Sequence, residues 1–68
     1  MPRVRVEWMA GRTQGQREEV ARRITQALVE IGGAPLEAVG VVFTDVPETH
    51  YYKGGVEWSK RSESNAGD

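Results

Sequence analysis

Arg3-Val4-Arg5-Val6-Glu7-Trp8-Met9 alternates between charged and apolar side chains through Trp8. Val4, Val6 and Trp8 fall on one parity and Arg3, Arg5 and Glu7 on the other, the period-two signature of a strand with one buried face. Pro2 shares the apolar parity, so its ring should start that side of the strand at a sheet end. Ala10-Gly11-Arg12 closes the strand, and Thr13 followed by Gln16 reads as a capping box that opens a helix. Val20, Ile24, Ala27, Leu28 and Ile31 then recur at three- and four-residue steps, predicting one buried stripe on a helix over residues 14–31. Gly32-Gly33 can take the left-handed conformation that ends helices, and Pro35 blocks continuation. Val39-Gly40-Val41-Val42-Phe43-Thr44 is too short for another helix and apolar on both parities, as expected of a strand covered on both faces.

Strand, helix and strand joined by short loops predict an α/β fold: a single β-α-β unit with parallel strands and a right-handed crossover. Residues 45–55 hold Pro47, Gly54 and Gly55 and read as a loop or short C-terminal hairpin region with His50, Tyr51 and Tyr52 at its middle. We divide the chain into a domain over residues 1–58 and a polar tail over 59–68. Two strands and one helix leave strand edges and one sheet face unsatisfied, so a symmetric dimer is the minimum expectation.

Composition narrows the partners. A chain of 68 residues buries only about 60% of its unfolded surface and needs help to be stable. It has no cysteine for disulfides or thiolate metal sites, and the single His50 builds no histidine-rich zinc site, which leaves oligomerisation as the staple. Nine Lys and Arg against ten Asp and Glu give no global field to gather nucleic acid or an anionic membrane. With no apolar run of membrane-spanning length and no signal-peptide core at Met1-Pro2-Arg3-Val4-Arg5, a cytoplasmic protein is expected.

Pro2 is the candidate for chemistry. If Met1 is removed, Pro2 carries a free secondary amine, and an apolar face beside cations disfavours its protonated form. Such a base suits proton abstraction next to a carbonyl. The alternative is that proline is simply common at the second position.

Taken together, Pro2, Gly11-Arg12-Thr13 followed by Gln16, Ala34-Pro35-Leu36 with Val39 beyond, and His50-Tyr51 leading to Gly54-Gly55 resemble the 4-oxalocrotonate tautomerase family. Each motif is short, but their joint order runs through residues 2–55 without a gap. The resemblance implies dimers that assemble into a hexamer, and a catalytic proline exposed by methionine removal. That proline takes a proton from a dienol such as 2-hydroxymuconate and returns it at another carbon to give the conjugated ketone. No metal or organic cofactor is implied. Arg12 matches the family's carboxylate-gripping arginine, a task suited to a forked guanidinium, and Tyr51 matches an aromatic position in the pocket wall. Pro2 and Arg12 lie at opposite ends of the first strand, separated by roughly 25 Å at about 3.3 Å per residue, so Arg12 must reach a shared substrate from a second subunit.

The chain also departs from the family. Where well-studied members carry a second arginine at the start of the second strand, this chain has Gly40, beside Pro2 in a parallel pairing. Arg3, Arg5 and Lys53 are the candidates to replace that charge, although ordinary surface roles are the simpler expectation. Tyr51, Tyr52 and Lys53 make the wall more polar if their tips face inward, which points to a small 2-oxo acid or enol other than the standard diacid. His50, without a visible carboxylate partner, stays outside the catalytic set, and Trp8 and Trp58 are expected in core and interface packing. Two alternatives stay open: hydration or dehalogenation of small unsaturated acids by a cationic proline, and a noncatalytic subunit of a hetero-oligomer.

Overall fold

Charged and apolar side chains alternate along β1 (Arg3–Met9), and the strand sorts them accordingly: Val4, Val6 and Trp8 are half-buried while Arg3, Arg5 and Glu7 are exposed. The computed structural model describes residues 2–60. β1 pairs in parallel with β2 (Gly40–Val46), in a register running from Arg3 opposite Gly40 to Met9 opposite Val46. A parallel pair requires a crossover, here supplied by α1 (Gln14–Glu30). The expected β-α-β unit with parallel strands is therefore present, followed by a C-terminal hairpin.

The strand register brings Val4 beside Val41, Val6 beside Phe43 and Trp8 beside Asp45. The Trp8 and Phe43 rings stack with centroids 5.1 Å apart. The core remains thin. Among the described residues, Met9 is the buried apolar side chain, 8% exposed, while Val42 on the other sheet face is 41% exposed. The second strand is thus covered on one face by its own chain, and its second apolar parity is left uncovered.

Thr13 opens α1 as expected. Its hydroxyl accepts from the Gln16 N–H at 3.1 Å, and the Gln16 side chain accepts from the Thr13 N–H at 2.9 Å. This reciprocal cap satisfies two amides that the first helical turn leaves without partners. At the other end Gly33 takes φ 74°, and its N–H reaches the Val29 carbonyl at 3.1 Å. The left-handed conformation suits glycine because it has no Cβ to meet the carbonyl.

The buried stripe is rotated from its expected position. Ala27 is exposed and Ile31 is 87% exposed, whereas Ala21, Thr25 and Val29 are half-buried alongside Val20, Ile24 and Leu28. Each four-residue step on an α-helix overshoots a full turn by about 40°, so the Val20, Ile24 and Leu28 row drifts away from Ala27 and Ile31. β2 also starts one residue later and ends two residues beyond the apolar run, because Asp45 and Val46 still pair with Trp8 and Met9.

Past β2, a short helical turn over Glu48–His50 leads into β3 (Tyr52–Lys53) and β4 (Val56–Glu57). Gly54 and Gly55, at φ 59° and 80°, form the two-residue turn between these antiparallel strands. Trp58 closes the hairpin by donating its N–H to the Tyr51 carbonyl at 2.7 Å. No helix among the described residues is long and apolar enough to cross a membrane. Most of the expected polar tail, residues 61–68, and Met1 lie outside the described residues.

Candidate active site

The two ends of the parallel sheet carry different chemistry. At the starting end, Pro2 precedes β1 and its carbonyl accepts the Gly40 N–H at 3.0 Å. Gly40 therefore sits beside Pro2, as parallel pairing requires. A Cβ placed on Gly40 would lie 3.9 Å from Arg3 Cγ, an ordinary contact, so the backbone there has room for a side chain. Arg3 is thus at the same sheet end as Pro2, whereas Lys53 is not: its ammonium lies 5.9 Å from the Tyr51 ring centre and 5.4 Å from that of Trp58.

At the finishing end, Glu7, Trp8, Met9, Val46 and Tyr51 line a cavity of about 220 Å³. Arg12 packs on two of these lining residues, Met9 and Trp8. The guanidinium donates to the Met9 carbonyl at 2.9 Å and sits 4.6 Å above the Trp8 ring centre. Tyr51 packs on Trp58 with centroids 5.5 Å apart, which joins the hairpin to the same end of the molecule. Trp8 and Trp58 are half-buried and each packs against another aromatic ring of the same chain, and each also carries a cation on its face. Arg12 packs on Trp8 and Met9, and Tyr51 lines the cavity with the same two residues; Pro2 is roughly 25 Å away along β1. His50 ends the short turn before Tyr51 and is exposed.

Asp45 holds the aromatic wall in place. One carboxylate oxygen accepts the Trp8 indole N–H at 2.7 Å, and the other pairs with the Arg17 guanidinium. The Arg17 bond first, then the Trp8 bond, holds the Asp45 carboxyl below its ordinary value, with Arg12 adding a smaller favourable charge. Sequence reasoning missed this trio because Asp45 followed the apolar run and read as loop. The parallel register supplied the missing signal: it places Asp45 directly opposite Trp8, whose half-buried indole N–H needs an acceptor.

A depressed carboxyl stabilises the fold above its unfolded-state pKa, near 3.9, and that contribution is lost as pH falls through the lower folded value. Asp45→Asn is therefore expected to lower the urea midpoint at pH 7 and to differ less from the parent at pH 3. Equal gaps at both pH values would show that the ion pair does not carry the effect.

A parallel two-stranded sheet crossed by one helix, with Pro2 at its starting end and Arg12 beyond its finishing end, defines a small β-α-β class of protein. The family model described as "Tautomerase enzyme" matches residues 2–61. A probable tautomerase of Lactococcus lactis is 44% identical over 55 residues, covering 81% of this chain and 90% of that protein. A structure from work on the 4-oxalocrotonate tautomerase isozymes of Methylibium petroleiphilum superposes with a TM-score of 0.76 at 38% identity, covering 85% of this chain and 94% of that one. A chain of the heterohexamer 4-oxalocrotonate tautomerase of Chloroflexus aurantiacus gives 0.78 at 30% identity, covering 88% and 97%. This chain belongs to the tautomerase family.

Proposed function

We propose that this chain is the subunit of a cofactor-independent tautomerase that interconverts enol and keto forms of small 2-oxo acids, with Pro2 as general base. Family membership over residues 2–61 is the observation that carries the reading. After removal of Met1, the Pro2 nitrogen takes the enol hydroxyl proton, the electron pair moves through the conjugated system, and the same nitrogen delivers a proton to carbon. Arg12 and Tyr51 of a neighbouring subunit bind and enclose the acid.

The shape of the chain supports shared sites. Pro2 and Arg12 stand at opposite ends of β1, and the 220 Å³ cavity is smaller than the roughly 300–1,000 Å³ of complete small-molecule pockets. The exposed Val42 face and the thin core support assembly with partner chains, which we propose gives dimers and a hexamer. The cytoplasm is the proposed location.

Two features support a monoacid substrate. Gly40 stands where well-studied members resembling this chain carry a second arginine, and the residues lining the cavity include Glu7, whose negative charge opposes a second one nearby. We expect 2-hydroxypenta-2,4-dienoate to be ketonised with higher kcat/KM than its diacid analogue 2-hydroxymuconate. Gly40→Arg should reverse part of that preference, by about tenfold, since one charged hydrogen bond contributes roughly 1.5–3 kcal/mol. An unchanged substrate ratio in Gly40→Arg would remove this account of selectivity.

Intact mass before and after 3-bromopyruvate, read beside the monoacid dienol assay, tests the main reading. Loss of Met1, one rapid adduct on Pro2 and parallel loss of activity are expected. Retained Met1, or a free Pro2 that stays unmodified in an inactive protein, would sink it. A second reading has specific support: the similar Chloroflexus protein is a heterohexamer, so this chain can be the noncatalytic partner of an arginine-complete chain. Co-purification with such a chain, and activity only in the mixture, would favour that assignment.

A further inference from the structure

We propose that Trp8 and Asp45 are positioning residues for Arg12, and that they keep its guanidinium flat, oriented and available for a substrate carboxylate. The inference rests on the anion-binding role given to Arg12 above. An isolated arginine on a turn loses substantial rotamer freedom when it grips an acid, so a scaffold that orders it beforehand strengthens binding. Here the scaffold is explicit. The guanidinium lies 4.6 Å above the Trp8 ring centre, and one of its nitrogens donates to the Met9 carbonyl at 2.9 Å. An arginine has five N–H donors, so this anchoring bond leaves most of the fork for a carboxylate.

The indole is itself fixed on two sides. Phe43 stacks against it at 5.1 Å, and Asp45 accepts its N–H at 2.7 Å. Rotation of the ring would break both contacts and carry Arg12 with it.

Charge arrangement makes the same point. An aspartate this close to Arg12 would ordinarily pair with it and quench it. Instead one Asp45 oxygen is occupied by Trp8 and the other by Arg17. Among the described residues no carboxylate forms an ion pair with Arg12. Arg17 therefore takes the neutralising partner, and Arg12 keeps its charge above the Trp8 ring.

The test is a double-mutant cycle on the full oligomer with 2-hydroxypenta-2,4-dienoate as the probe. Trp8→Leu removes the face beneath Arg12, and KM should rise about five- to tenfold with kcat within about twofold, a loss of binding rather than of chemistry. In the Arg12→Ala background, Trp8→Leu should add nothing, because its effect passes through Arg12. Trp8→Phe keeps a ring for Arg12 and Phe43 but loses the N–H to Asp45, so it should restore most of the KM. It also keeps the test open if Trp8→Leu fails to fold. Asp45→Ala should raise KM in the same direction as Trp8→Phe, and the two should not add, since each breaks the same hydrogen bond.

A merely structural role for Trp8 would lower stability and kcat together and would add to Arg12→Ala; that result overturns the inference. If Arg12→Ala raises KM but the Trp8 variants leave it unchanged, positioning alone is overturned. If Arg12→Ala leaves KM unchanged, the anion-binding role fails and the positioning inference falls with it.

Discussion

Capping the Pro2 nitrogen will lower kcat/KM for ketonisation of a monoacid dienol by about 10²–10⁴-fold, the range that a positioned general base contributes. The cap can be a retained Met1 or a short N-terminal extension that escapes processing. Either converts a secondary amine into an amide, whose lone pair is delocalised into the carbonyl and accepts no proton near neutral pH. The ring keeps its place, because Pro2 holds the Gly40 N–H through its carbonyl, which the cap leaves intact. The loss should therefore fall on kcat while the oligomer and its Tm stay close to the parent. Pro2→Ala should also lose activity: it keeps an amine but exchanges a constrained secondary amine for a flexible primary one. Mass spectrometry on each preparation establishes whether the terminus is free. A capped protein that retains full activity would exclude Pro2 as the base. The pH dependence then separates the remaining chemistries, since an apparent Pro2 pKa well below neutrality fits the tautomerase and one well above it fits the hydratase reading.

Removing the Arg12 guanidinium should raise KM by about 10- to 100-fold, the equivalent of the roughly 1.5–3 kcal/mol contributed by a charged hydrogen bond. Arg12→Lys should recover only part of this, because an ammonium is a point charge and cannot present a planar fork to two carboxylate oxygens. Geometry makes a sharper demand. Pro2 and Arg12 flank a seven-residue strand, so one chain cannot place both on one small acid. Co-expressed Pro2→Ala and Arg12→Ala chains should consequently regain activity that neither variant has alone. In a random mixture roughly a quarter of the shared sites receive a native residue from each partner. Mixed oligomers with no gain over the separate variants would place the two residues in different functions.

The assignment also explains why so small a chain leaves apolar surface uncovered. Val42 at 41% exposure and the thin core around Met9 would be poor design in an isolated monomer. They fit the proposal that a partner chain covers this surface and completes the site.

Local signals determined much of this protein. The alternation through Trp8, the Thr13 and Gln16 pair, the glycines after α1 and the Gly54-Gly55 turn each specify their element through backbone preference or side-chain periodicity within a few residues. They suffice for a parallel β-α-β unit with a hairpin, and for placing Pro2 and Arg12 at opposite strand ends. The rotation of the α1 stripe was not legible, because Ala27 and Ile31 satisfy helical spacing as well as the residues that do face inward. Only packing against a particular sheet chooses among neighbouring stripes. The length of β2 and the Trp8, Asp45 and Arg17 cluster were likewise decided by tertiary structure. Their contacts span 28 to 37 residues, and they depend on a strand register that no local pattern contains. The sequence determined which groups are present and roughly where along the fold they fall; the register decided which of them touch.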